Sequence, residues 1–200
     1  MYGAWYSFIS TFAALVLVGM VIKVMDDALD IEYDTFLGKR TLPVRLGRAT
    51  LPYCLMILAI AIYLQPPTTL SLFMASYIIG MGHDFREKMP SQIRGWAESA
   101  IAVVLMLLLV GWNIAFWSIA IMIVIQLLDD LSDIRDDVKT GQRNFAVRFG
   151  ILEVTFVLLI AFAIAVLLSP LQSVFVLLAT PVVHALLSLL ERRQNRARSQ

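Results

Sequence analysis

Long apolar runs that end in dense charge recur along this chain, and they restrict it to one class of fold. Seven such runs can be read, at roughly Gly3–Met25, Thr50–Gln65, Thr68–Gly82, Gln92–Gly111, Trp112–Leu128, Ile151–Ser169 and Leu171–Leu190. A helix needs about 20 predominantly apolar residues to cross a bilayer, and in lipid only helices and closed barrels satisfy their own backbone. Hydrophobic residues make up 60% of the 200, against roughly 45–50% in soluble domains. The chain therefore reads as an all-α, polytopic membrane bundle of about seven transmembrane helices. The second and third runs are short for full spans and meet at Gln65-Pro66-Pro67-Thr68, a tight-turn signal.

The formal charge of +1 hides a strong segregation. Lys and Arg fall in four clusters: Lys23 with Lys39, Arg40, Arg45 and Arg48; Arg86 with Lys88 and Arg94; Arg135 with Lys139, Arg143 and Arg148; and Arg192, Arg193, Arg196 and Arg198. The connections Gln65–Thr69, Gly111–Asn113 and Ser169–Gln172 carry none. By the positive-inside rule, seven spans then leave the amino terminus outside and the carboxyl terminus and all charged regions cytoplasmic. The alternation closes only if the second and third runs are separate spans. A single transmembrane domain over residues 1–190 follows, with a basic cytoplasmic tail over 191–200. The tail suits anionic lipid headgroups better than nucleic acid. Cys54, alone in an apolar run, excludes a disulfide framework within one chain. The first run is expected to be a retained helix and not a signal peptide.

The first run ends in Met25-Asp26-Asp27-Ala28-Leu29-Asp30-Ile31-Glu32-Tyr33-Asp34, and the fifth in Asp129-Asp130-Leu131-Ser132-Asp133-Ile134-Arg135-Asp136-Asp137. The register extends past the acids. Asp26, Asp27, Asp30, Ile31, Asp34, Gly38, Arg40, Val44, Arg45 and Gly47 match Asp129, Asp130, Asp133, Ile134, Asp137, Gly141, Arg143, Val147, Arg148 and Gly150 without a gap, each pair 103 positions apart as Asp133 is from Asp30. This is an internal duplication, with pseudo-repeats of roughly 1–110 and 111–190. On a helix, Asp26, Asp27, Asp30 and Asp34 crowd one face, as do Asp129, Asp130, Asp133 and Asp137. Like charges so spaced repel, so a cationic partner is expected among them. Arg94 and Glu98, one turn apart inside the fourth run, form either an ion pair in the bundle or a contribution to the site.

Carboxylate clusters without His or Cys favour a hard cation with oxygen ligands, and Mg²⁺ typically combines a few carboxylates with substrate phosphates. The basic residues that follow, Lys39, Arg40, Arg45, Lys139, Arg143 and Arg148, suit the remaining phosphate oxygens. The combination predicts a diphosphate held by metal ions at the acidic helix ends. Where bilayer meets water, the rest of the ligand extends into apolar space, which is the shape of a prenyl diphosphate.

These blocks also resemble the UbiA superfamily of intramembrane prenyltransferases. The run Asp26–Asp34 is similar to that family's Asn-Asp-x-x-Asp-x-x-x-Asp motif, with Asp26 where Asn is usual, and Asp129–Asp137 resembles its second Asp-rich motif. Gly38–Gly47 and Gly141–Gly150 resemble the loop after each motif. The resemblance implies Asp26, Asp27, Asp30, Asp34, Asp129, Asp130, Asp133 and Asp137 as Mg²⁺ ligands, with Asp30 and Asp133 central to catalysis. It implies Mg²⁺-dependent ionisation of a prenyl diphosphate, with ring faces from among Tyr33, Tyr53, Tyr77 and Trp96 near the allylic cation, and prenyl transfer to a small acceptor. The family usually has nine helices, and the first and last are expected to be missing here. The alternatives are a UbiA-type membrane terpene cyclase, in which the substrate's own double bonds capture the cation, and a non-catalytic cation-binding protein or partner subunit.

Overall fold

The computed structural model describes residues 2–36, 38, 41–80, 85–141 and 144–198. Among them the regular structure is helical: α1 (Tyr2–Leu29), α2 (Ile31–Phe36), α3 (Leu42–Leu46), α4 (Thr50–Leu64), α5 (Pro66–Gly80), α6 (Gly95–Val110), α7 (Trp112–Thr140), α8 (Phe145–Phe149), α9 (Ile151–Leu168) and α10 (Pro170–Arg198).

Five segments are long and apolar enough to cross a membrane: Trp5–Leu29, Leu42–Leu64, Trp112–Thr140, Ile151–Leu168 and Pro170–Glu191. This is the architecture of an integral membrane protein, and its surface agrees. Leu152, Phe156, Leu159, Ile160 and Leu167 on α9 stand exposed, a placement that is costly in water and neutral in lipid. The other two apolar runs also fold as helices: α5 is described over Pro66–Gly80, up to residues outside the described ones, and α6 has 16 residues. At 1.5 Å per residue α6 reaches about 24 Å, short of a hydrocarbon core of about 30 Å. Local chemistry sets the start of α5 and the end of α6. Pro66 lacks the N–H that would let α4 run on into α5, and α6 ends where Gly111 takes φ 78°.

The chain packs as two compact units, one of residues 1–69 and 174–200, the other of residues 70–173. In the first, α1 lies against α4, with α2 and α3 beside its acidic end. Ala14, Leu15, Val18, Val21 and Val24 bury one stripe of α1, and Thr50, Cys54 and Ala61 are the buried positions of α4. Phe175 of α10 meets the ring edges of Phe8 and Phe12. A Cβ at Gly19 would lie 3.0 Å from Val183 Cγ2, so a larger residue there would require Val183 to give by a few tenths of an ångström.

In the second unit α7 lies against α9, α8 touches both, and α6 packs on α7. Trp117 is fully buried, and its indole N–H donates to Ser173 Oγ at 3.0 Å. Leu127, Ala146 and Val154 form a core joining α7, α8 and α9, with Ile123, Leu131, Ile134, Phe145 and Leu158 around it. Three element pairs thus repeat: α1 with α4 and α7 with α9, α1 with α3 and α7 with α8, α3 with α4 and α8 with α9. The start of α3 at Leu42 and that of α8 at Phe145 are 103 residues apart, the spacing of the duplicated acids.

Candidate functional site

Each unit carries one acidic module, and both are built by the same local steps. A long apolar helix runs on into the acids. From Trp112 to Asp130 is 18 residues, or about 27 Å of helix, which brings the acids to the edge of a hydrocarbon core. A glycine then turns the chain: Gly38 and Gly141 both take φ 73°, a left-handed conformation that costs an L side chain energy. At Gly141 this closes the helix, its N–H bonding to the Asp137 carbonyl at 2.9 Å. A short helix follows, α3 or α8, and then a second glycine of positive φ, Gly47 or Gly150.

In the first module the helical ladder continues across the break between α1 and α2. Asp30 N donates to the Asp26 carbonyl at 3.1 Å, and Asp34 N to the Asp30 carbonyl at 2.9 Å. Asp26, Asp30 and Asp34 are therefore stacked turn on turn along one face, as expected. The cationic partner comes from within the helix. Lys23 Nζ lies 3.1 Å from Asp26 Oδ2 and 3.4 Å from Asp27 Oδ1. Arg45 Nη1 donates to the Glu191 carbonyl at 2.9 Å. Thr41, at the start of α3, has a buried hydroxyl with no hydrogen-bond partner among the described residues. Lys39 and Arg40 lie outside the described residues.

The second module is more closely bonded. Asp130 is 5% exposed. Its Oδ2 accepts from Phe145 N at 2.9 Å, and its Oδ1 from Gln126 Nε2 at 3.3 Å. Asn144, also buried, caps α8 by accepting from Val147 N at 3.0 Å. Its amide donates to the Asp130 carbonyl at 2.6 Å and to Asp137 Oδ2 at 2.6 Å. Asp129 and Asp133 are half-buried on α7. Lys139 pairs with Asp136 at 3.2 Å, and Arg148 sits over the Phe149 ring, 5.1 Å from its centroid. Arg143 lies outside the described residues.

The structure thus gathers Asp26 with Asp27 through Lys23, and Asp130 with Asp137 through Asn144. Among the described residues, no three Asp, Glu, His or Cys side chains converge closely enough to form a metal cage from protein alone. Lys23, Gln126 and Asn144 are the site-building residues to which sequence reasoning assigned no role. The duplication itself was the available signal, because it sets Gln126 on Lys23 and Asn144 on Thr41 at the same offset of 103. Away from the modules, Glu98 is held by the hydroxyls of Tyr77 and Ser91, so its bonds are to hydroxyl groups where an ion pair with Arg94 was one expectation.

Compared with family models, with curated proteins and with solved structures, the chain matches none.

Proposed function

We propose that the chain is a UbiA-like intramembrane prenyltransferase that ionises a prenyl diphosphate with Mg²⁺ and passes the prenyl group to an acceptor. The observation that carries this reading is the duplicated module: an acidic helix end, a left-handed glycine, a short helix and a long apolar helix, built twice from matching residues. Solvated helix ends need no such repetition. The resemblance of both acidic blocks and both following loops to the UbiA superfamily supports the same conclusion.

The donor chemistry fits Mg²⁺. This ion ordinarily takes one or two carboxylates and completes its shell with water and substrate phosphate, so it does not require three converging acids. Asp26, Asp27, Asp30 and Asp34 in one module, and Asp129, Asp130, Asp133 and Asp137 in the other, are the oxygen donors that would hold it. When bound, the ion neutralises charge that develops on a departing diphosphate.

The chain's own groups do the rest. Lys39, Arg40, Arg45, Lys139, Arg143 and Arg148 supply donors for phosphate oxygens. Asp30 and Asp133 are the acids on which turnover depends most. The C–O bond of the allylic diphosphate breaks with its electron pair leaving on the diphosphate. Apolar helix surface keeps water from the cation until the acceptor's nucleophile forms the new bond and loses its proton. The positive-inside rule makes the charged face cytoplasmic and the amino terminus external.

The test is incubation of the purified protein with a prenyl diphosphate and Mg²⁺, with and without phenolic or other small acceptors. Prenylated acceptor and free diphosphate are expected. Cyclic hydrocarbon or alcohol formed without acceptor would make the chain a cyclase, and an inert substrate would remove the enzyme reading.

A further inference from the structure

Asn144 does more than its place at the start of α8 requires. An N-cap needs one side-chain acceptor, and Ser, Asp and Asn serve about equally well there. Asn144 uses its Oδ1 for that bond, to Val147 N. Its Nδ2 then reaches back along the chain in two directions, to the Asp130 carbonyl and to Asp137 Oδ2. Only a primary amide can accept and donate twice in this way.

The first module shows that the fold step itself needs no amide. Thr41 holds the matching position, and α3 forms after it without a side-chain cap. What Asn144 adds to the second module is therefore the placement of a carboxylate. Its anchor is firm: the Asp130 peptide that it grips belongs to the residue whose side chain holds Phe145 N, and the module rests on the core of Leu127, Ala146 and Val154.

We propose that Asn144 is a positioning residue, which fixes the Asp137 carboxylate for Mg²⁺ and diphosphate through an amide bridge anchored on Asp130. The inference rests on the diphosphate reading above. Partners that orient a ligating carboxylate in this way are typically worth 10- to 100-fold in metal affinity.

Two variants separate placement from folding. Asn144→Ser keeps a cap acceptor for Val147 N and loses the bridge, whereas Asn144→Ala loses both. The probe is inorganic pyrophosphate with Mg²⁺, titrated calorimetrically into purified protein, and hydrogen exchange at the Val147 amide reports on the cap. Asn144→Ser is expected to raise the Kd about 10- to 100-fold while Val147 stays protected. Asn144→Ala is expected to raise it as much and to expose Val147. Wild-type affinity in Asn144→Ser, or weakening seen only where Val147 protection is lost, would overturn the proposal. A wild-type protein that binds Mg²⁺ and pyrophosphate but turns over no prenyl diphosphate would remove the proposed function and leave this inference standing. One that binds no pyrophosphate would remove both.

Discussion

Lys23 and Gln126 occupy the same place in the two acidic modules, each four residues before the aspartate that it holds. Lys23 Nζ is 3.4 Å from Asp27 Oδ1, and Gln126 Nε2 is 3.3 Å from Asp130 Oδ1. Where Asp27 faces a cation, Asp130 faces an amide. The difference follows the surroundings, since Asp130 also receives Phe145 N while Lys23 serves Asp26 as well as Asp27.

This leads to a stability prediction. Replacing Lys23 by Met should cost about 1 kcal/mol, the upper end for exposed ion pairs, because the Asp27 side chain is only 15% exposed. Thermal unfolding in detergent should show the loss, and added salt should shrink the difference between the two proteins. Lys23→Gln, which copies the second module, should recover part of it.

Thr41 should respond in the opposite direction. Its hydroxyl is buried without a partner among the described residues, and such a group typically costs 1–3 kcal/mol. Val has nearly the same shape and no hydroxyl. Thr41→Val is therefore expected to leave the melting temperature unchanged or raised. A clear fall would mean that the hydroxyl is bonded.

Gly38 and Gly141 take the same left-handed φ of 73°, and a Cβ at either would meet nothing within 4 Å. The cost of a side chain there is one of backbone conformation alone. Gly141→Ala should lose about 1–2 kcal/mol. Gly141→Asn should lose less, because Asn tolerates this region better. A larger loss in Gly141→Asn than in Gly141→Ala would show that contact, and not backbone geometry, sets the requirement.

Much of this organisation was legible before any coordinates. Runs of apolar residues bounded by charge can do little but form membrane helices, and the acids of the two modules announced their repeat by identity and spacing. Length was harder to read. Hydropathy extends smoothly through Gln92–Gly111, but the helix there is cut by where Gly95 and Gly111 fall, which leaves α6 short. The site's internal bonding was hidden for another reason. Lys23 and Gln126 differ in type, as do Thr41 and Asn144, so matching by identity passes over them. Only the register shows that the members of each pair hold the same place. Basic residues were read by charge alone, and charge does not reveal that Lys139 turns to Asp136 or Arg148 to Phe149.

Under the proposed function, Mg²⁺-dependent ionisation of a prenyl diphosphate needs the acids of each module. Its most direct test is diphosphate release from a prenyl diphosphate by purified wild-type, Asp30→Ala and Asp133→Ala proteins, with Mg²⁺ and with a chelator. Release is expected from wild type, none with the chelator, and a fall of about 100-fold or more in each variant, the scale of losing one electrostatic contact to a transition state. Release that both variants sustain at the wild-type rate, or a wild-type protein that releases none, would contradict this reading.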